Sequence, residues 1–164
     1  MTICELTKEH AQDFLKMQLQ LDKETDNMLF EAGERPNDIE RVHRNIEYTK
    51  EIGSVVLLAY KDEVCAGFAL ANRGTLNRVR HSAYIVIGVL EAYQSIGVGK
   101  ALFCELIEWA KDNAIKRLEL TVRTSNQIGI SLYEKYGFEI EGVKKHAMLV
   151  NGEYVDEYYM ARIL

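Results

Sequence analysis

Proline is almost missing from this chain, with one residue in 164. Eleven glycines and 48% apolar residues complete a composition that argues against low-complexity disorder. Cysteine is scarce too. Cys4, Cys65 and Cys104 are odd in number and widely spaced, with no Cys-x-x-Cys and no Cys/His cluster. That pattern argues against a disulfide framework or a zinc site, so no metal is expected. Each cysteine is expected as a small core residue rather than a nucleophile. No run approaches the ~18 apolar residues of a membrane span. The opening MTICELTKEH has neither a basic start nor an apolar segment of signal-peptide length. The expectation is a reduced, soluble, cytoplasmic protein with no membrane partner. Basic charge is also short: 20 Lys and Arg stand against 25 Asp and Glu, a net of −5. That is poor electrostatics for nucleic acid. No repeat or linker interrupts the chain, so residues 1–164 read as a single domain, long enough to bury a core.

What is present is periodic. TICEL alternates as a strand, and Thr7 can cap a helix carrying Ala11, Phe14, Leu15 and Leu19 on one face. Residues 22–38, with Gly33 and Pro36, read as a loop. A second helix carries Ile39, Val42 and Ile46 and ends near Gly53. SVVLLAY and CAGFALANR form a hairpin through KDEV, and RGTLNRVR connects to the central strand HSAYIVIGVL. A helix from Val98 to Asn113 follows, then strand RLELTV, then helix SNQIGISLYEKY, closed by Gly137. Two last strands meet at Asn151-Gly152, a strong hairpin signal. The order predicts a mixed α/β sandwich built on one largely antiparallel sheet.

The stretch with chemical content is Tyr93-Gln94-Ser95-Ile96-Gly97-Val98-Gly99-Lys100, between a strand and a helix. Glycines let backbone approach a ligand, and the first N–H groups of a helix lack internal partners and sit at its positive end. The stretch is either a diphosphate cradle or a tight strand-to-helix turn. In the first reading Gln94 adds an amide donor and Lys100 a cation. A P-loop is disfavoured because G-x-x-x-x-G-K-[ST] is absent. A dinucleotide fingerprint is disfavoured because Leu102 stands where its third small residue is required.

Gln94-Ser95-Ile96-Gly97-Val98-Gly99 resembles the Q/R-x-x-G-x-G/A signature of the GCN5-related N-acetyltransferase superfamily, GNAT. Asn126-Gln127-Ile128-Gly129-Ile130-Ser131-Leu132-Tyr133-Glu134-Lys135-Tyr136-Gly137-Phe138 resembles that family's N-x-x-A/G-x-x-L-Y-x-x-x-G-F segment. The resemblance implies the acyl-CoA N-acyltransferase fold, with about seven mostly antiparallel strands and four helices. It implies acetyl-CoA as cosubstrate, bound by Gln94, Ser95, Ile96, Gly97, Val98, Gly99 and Lys100. It further implies a bulged strand before the loop that splays from its neighbour, so that Ile87 and Val89 offer backbone to pantetheine. On that analogy the Val89 N–H polarises the thioester carbonyl. Asn126 is a helix cap or a cofactor contact. Tyr133 is a core aromatic or the general acid for the departing thiolate, whereas Tyr136 is packing. The chain departs from the family at Val89-Leu90-Glu91, where many members have Val-x-Pro, and at Gly88, where a larger residue is common.

The implied reaction is direct attack of a primary amine on the thioester in a ternary complex, with a small amine or a peptide amine as acceptor. A protein N-terminal acetyltransferase and a non-catalytic acyl-CoA-binding regulatory module are the rival readings. An alkyl amine of pKa ~10.4 must lose a proton first. The candidate bases are Glu24, Glu31, Glu91, His81 and His146, with Glu24 and Glu31 in the region that covers the acceptor in the resembled family. Residues 22–51 hold nine acids against five bases, so they form either a negative mouth that attracts cationic amines or a solvated, paired face. Arg73, Arg78 and Arg80 offer the opposite preference, for an anion. The aromatic terminal strand EYYMARIL could pair between subunits as a homodimer.

Overall fold

The structure, a computed structural model, describes residues 1–164. Strand β1 (Thr2–Glu5) leads through a short 3-10 turn at Lys8–His10 into α1 (Ala11–Glu24). Then come α2 (Ile39–Glu51), β2 (Val55–Lys61), β3 (Val64–Arg73) and β4 (Ser82–Val89). The chain continues through α3 (Val98–Asp112), β5 (Arg117–Arg123), α4 (Gln127–Lys135), β6 (Glu139–Val150) and β7 (Glu153–Ile163). The seven strands make one sheet in the order β1-β2-β3-β4-β5-β7-β6. Only β4 and β5 run parallel. This is the expected mixed fold. No helix is long and apolar enough to cross a membrane.

Two apolar layers hold it. On one face of the sheet α3 buries Val98, Leu102, Phe103, Leu106 and Ala110 against Ile85, Leu118, Leu120 and Met160. On the other, α1 and α2 bury Phe14, Leu15, Leu21, Val42 and Ile46 against Leu58 and Phe68. Such spacing is what one apolar helical stripe requires. Leu102 is wholly buried, which explains its size where a dinucleotide fold needs a small residue.

Several expectations need correction. Thr7 caps the 3-10 turn rather than α1: its N–H donates to His10 Nδ1 (3.2 Å), and α1 begins after His10. Cys65 is buried and Cys4 half-buried, but Cys104 is exposed, its thiol 3.6 Å from the Tyr136 hydroxyl. The terminal strand β7 is hydrogen-bonded on both edges, to β5 and to β6, so it has no free edge to offer a second subunit. The free edge there belongs to β6, which carries Lys144-Lys145 and breaks register between Lys144 and Met148, around the positive-φ His146. Lysines and bulges on an edge discourage further pairing.

Candidate active site

The site begins where β4 and β5 part. Their pairing lasts from Ser82↔Arg117 to Tyr84↔Glu119 and stops. The Ser82 carbonyl and the Leu90 N–H bond towards β3, while the His81 carbonyl accepts from Lys116 and Arg117. Backbone groups alternate along a strand, so the odd residues of β4 face β5. Past the split, Ile87 and Val89 therefore turn their backbone N–H groups into the gap. This is a short open strand edge inside a sheet, where buried backbone is otherwise paired.

The split does not arise from the expected bulge. Register between β3 and β4 is continuous from Gly67↔Val89 to Arg73↔Ala83. Tyr84 does the work instead. Its hydroxyl accepts from the Thr121 N–H (3.2 Å) and bonds the Thr121 hydroxyl (2.8 Å). The side chain thus takes the donor that the next rung would have given to the Ile85 carbonyl. Gly88 has its own reason for being small: a Cβ there would lie 2.5 Å from Leu21 Cδ2 and 2.7 Å from Phe68 Cε1. The missing side chain lets α1 lie over the end of β4.

After β4, a 3-10 turn at Glu91–Tyr93 feeds the glycine loop. Ser95 has φ 61° and Gly97 φ 94°, so two left-handed residues curl the chain into α3. The first backbone bond of α3 is Ala101 N–H to Gly97 O (3.0 Å), and the six amides from Ser95 to Lys100 find no backbone acceptor. A run of unpaired N–H groups at a helix start is an anion cradle. The glycines differ in role. Gly97 needs its positive φ, whereas Gly99 is helical, and a Cβ on it would meet only Leu132 Cδ2 and Val89 Cγ2, each at 3.8 Å. Those contacts bring the loop, the end of β4 and α4 to one point. Gln94 turns inward, donating from Nε2 to the Val89 carbonyl (3.2 Å).

Helix α4 supplies the remaining residues. Asn126 is its cap, with Oδ1 accepting from Gly129 N–H (3.0 Å), so the amide nitrogen is the part left for a ligand. Tyr133 is half-buried, its ring against Phe103 (6.2 Å) and Phe138 (5.8 Å). Burial pushes its phenol up to about 12, and the Tyr84 hydroxyl adds to the rise. Tyr136 packs on Phe103 at 4.4 Å.

The candidate bases separate. Glu24 is committed: Oε2 accepts from the Glu91 N–H (2.8 Å) and Oε1 from Gln20 Nε2 (2.8 Å). It ties the end of α1 to the turn after β4. Glu31 and Glu91 are exposed. His81 precedes β4, at the end away from the split, together with Arg73, Arg78 and Arg80, whose Arg73 Nε donates to the Arg80 carbonyl (2.8 Å). His146 stacks on Tyr154 (4.8 Å) on the outer strand. Three of the nine acids of the negative mouth are held in ion pairs with Lys or Arg. Asp22 is buried in a two-bond pair with Arg35 (2.6 and 2.9 Å), Glu47 pairs with Lys8, and Asp38 lies 3.7 Å from Arg44. A hollow of about 630 Å³ lies between α1 and Glu63–Cys65 and touches the site only at Leu90.

A split parallel pair beside an amide-rich loop defines an acyl-CoA N-acyltransferase architecture. The sequence profile described as the Acetyltransferase (GNAT) family matches residues 18–138, and the chain belongs to that family. An L-amino acid N-acetyltransferase of Escherichia coli is 49% identical over 88 residues, covering 52% of this chain and 54% of that protein. The chain spans about half the length of the named relatives it matches first. A GNAT acetyltransferase from Streptococcus pneumoniae superposes with a TM-score of 0.94 at 28% identity, covering 99% of this chain and 98% of that one. A Salmonella typhimurium protein solved with acetyl-CoA superposes at 0.89 with 20% identity, over 100% of this chain and 94% of that one, and shares the fold.

Proposed function

We propose that the protein transfers the acetyl group of acetyl-CoA to a small primary amine of the kind named by its E. coli relative. The observation that carries this reading is the union of six unpaired amides, Ser95 to Lys100, with the open edge at Ile87 and Val89. The amides, with Lys100, suit a diphosphate, and the edge suits the two amides of a pantetheine arm. Asn126 Nδ2 and the backbone of Ile96 and Val98 complete the donor half.

In the ternary complex the deprotonated amine adds to the thioester carbon. The Val89 N–H receives the charge that builds on the carbonyl oxygen. The C–N bond forms, the C–S bond breaks, and the amine's second proton passes to water. Tyr133 donates a hydrogen bond or its proton to the leaving sulfur. With a pKa of about 12 against ~8.5 for a thiol, it assists chiefly as an oriented donor that stays neutral. No side chain is placed as a base by more than proximity, so water relays that proton. Cys104 sits on the outer side of α3 beside Tyr136, which suits direct transfer better than an acyl-enzyme. Free-thiol release from acetyl-CoA, measured across small amines, amino acids and peptides, tests the proposal. Coenzyme binding without amine-dependent thiol would favour a non-catalytic module.

A further inference from the structure

We infer that Arg123 is the residue that selects the acceptor, by holding the carboxylate of a free α-amino acid. The inference rests on the acetyl-transfer reading and adds the substrate's second functional group.

Arg123 ends β5. It lies four positions beyond Glu119, and Gly88 lies four beyond Tyr84, and Tyr84 with Glu119 is the pair at which the parallel strands part. It therefore stands level with the end of β4, across the split from Val89. Leu118, Leu120 and Val122 point into the α3 layer, so the alternate residues Glu119, Thr121 and Arg123 point to the opposite face. That is the face of α1 and of the segment joining it to α2. The Arg123 Nη1 donates to the carbonyl of Asp26 in that segment (3.2 Å). Its Nε is wholly buried with no acceptor, the single such side-chain atom in the chain.

Three other arginines show what that atom can do. Nε of Arg35 binds Asp22 at 2.6 Å, with Nη2 beside it at 2.9 Å. Nε of Arg117 binds Glu119 and Nε of Arg73 binds a carbonyl, each at 2.8 Å. Arg123 faces Glu157 across the strands, but that carboxylate sits 3.6 Å from Lys144 and makes no ion pair with Arg123. The same side-on edge that grips Asp22 in Arg35 is thus unspent in Arg123. A buried guanidinium N–H without an acceptor is unfavourable, and a carboxylate answers it with charge-assisted bonds. The Nε atom is closed to water. A single long bond to a neutral carbonyl is the one hydrogen bond between Arg123 and the Asp26 segment. In an α-amino acid the carboxyl carbon lies next but one to the nucleophilic nitrogen. An amine at the Val89 end of the split then carries its acid towards the level of Arg123. A peptide N-terminus has an amide in that place and cannot make this pair.

The test compares an L-amino acid with its primary amide and with a short peptide starting with the same residue, by thiol release. The wild type should favour the free acid in kcat/KM by about 10- to 100-fold. In Arg123→Gln that ratio should fall towards one, and in Arg123→Lys it should recover in part, with folding followed by circular dichroism. A wild-type ratio near one, or a preference for amide or peptide, overturns the inference without any variant and leaves acetyl transfer standing. A ratio unchanged in Arg123→Gln also overturns it. No thiol release with any of the three is instead the failure of the acetyl-transfer reading beneath it.

Discussion

Removing one hydroxyl should tighten the cleft proposed to hold the coenzyme. In Tyr84→Phe the Thr121 N–H loses its acceptor at 3.2 Å and the Thr121 hydroxyl its partner at 2.8 Å. Each such bond is worth about 0.5–1.5 kcal/mol net, and the low end applies because Tyr84 is 39% exposed. The Thr121 N–H then has one good replacement, the Ile85 carbonyl, which is the next rung of the parallel ladder. Forming that rung returns roughly what was lost, so stability should change by less than about 1 kcal/mol, or ~2–4 °C in Tm. Function should not be spared. Acetyl-CoA must reopen the rung, and the cost of one net hydrogen bond is about a 2- to 10-fold weaker Kd. Calorimetry reads that Kd directly, and thiol release at saturating acetyl-CoA should give a kcat within about 2-fold of wild type. Thr121→Val keeps the N–H bond and should bind acetyl-CoA nearly normally. An unchanged Kd in Tyr84→Phe, or a lost kcat with Kd intact, would refute the claim that this tyrosine sets the width of the split.

Gly99→Ala should separate stability from binding: alanine in a helix gains about 0.5–1 kcal/mol over glycine and fits the 3.8 Å space, so Tm should rise while acetyl-CoA binding weakens in calorimetry. Cys104→Ser should turn over within about 2-fold of wild type, since direct transfer needs no thiol; a loss of ~100-fold would reopen the acyl-enzyme route. Tyr133→Phe should cut kcat by about 100-fold or more with little change in the Kd of acetyl-CoA. Its pKa of about 12 leaves the acid neutral through the assay range, so kcat should climb with pH as the amine deprotonates and show no alkaline fall below about pH 11. Because that folded pKa lies above the unfolded value near ~10, its stabilising effect is complete below pH 10 and lost as pH rises through 12, and alkaline melting of Tyr133→Phe should begin later than in wild type.

Much of this was legible in the residues because local physics wrote it there. The 3.6-residue spacing of Leu102, Leu106 and Ala110 fixed a helix and its buried side, and Asn151-Gly152, with φ values of 51° and 81°, fixed a hairpin. Gly97 was readable for the same reason, since a left-handed residue before a helix is costly for anything else. What stayed hidden depends on partners distant in sequence. Tyr84 lies in a β-rich run where an aromatic is ordinary, and nothing local says that its hydroxyl will meet Thr121, 37 residues on. The acids of residues 22–51 looked like a field, yet several are spent on Lys8, Arg35, Arg44 and the backbone of Glu91, through contacts that only the folded chain specifies. Arg123 was invisible for the converse reason: its distinction is a bond it does not make. On the proposed reading donor recognition uses the main chain, so glycine and cap signals announce it. Acceptor recognition, as inferred for Arg123, uses a side chain left unpaired after folding, and that remainder has no motif.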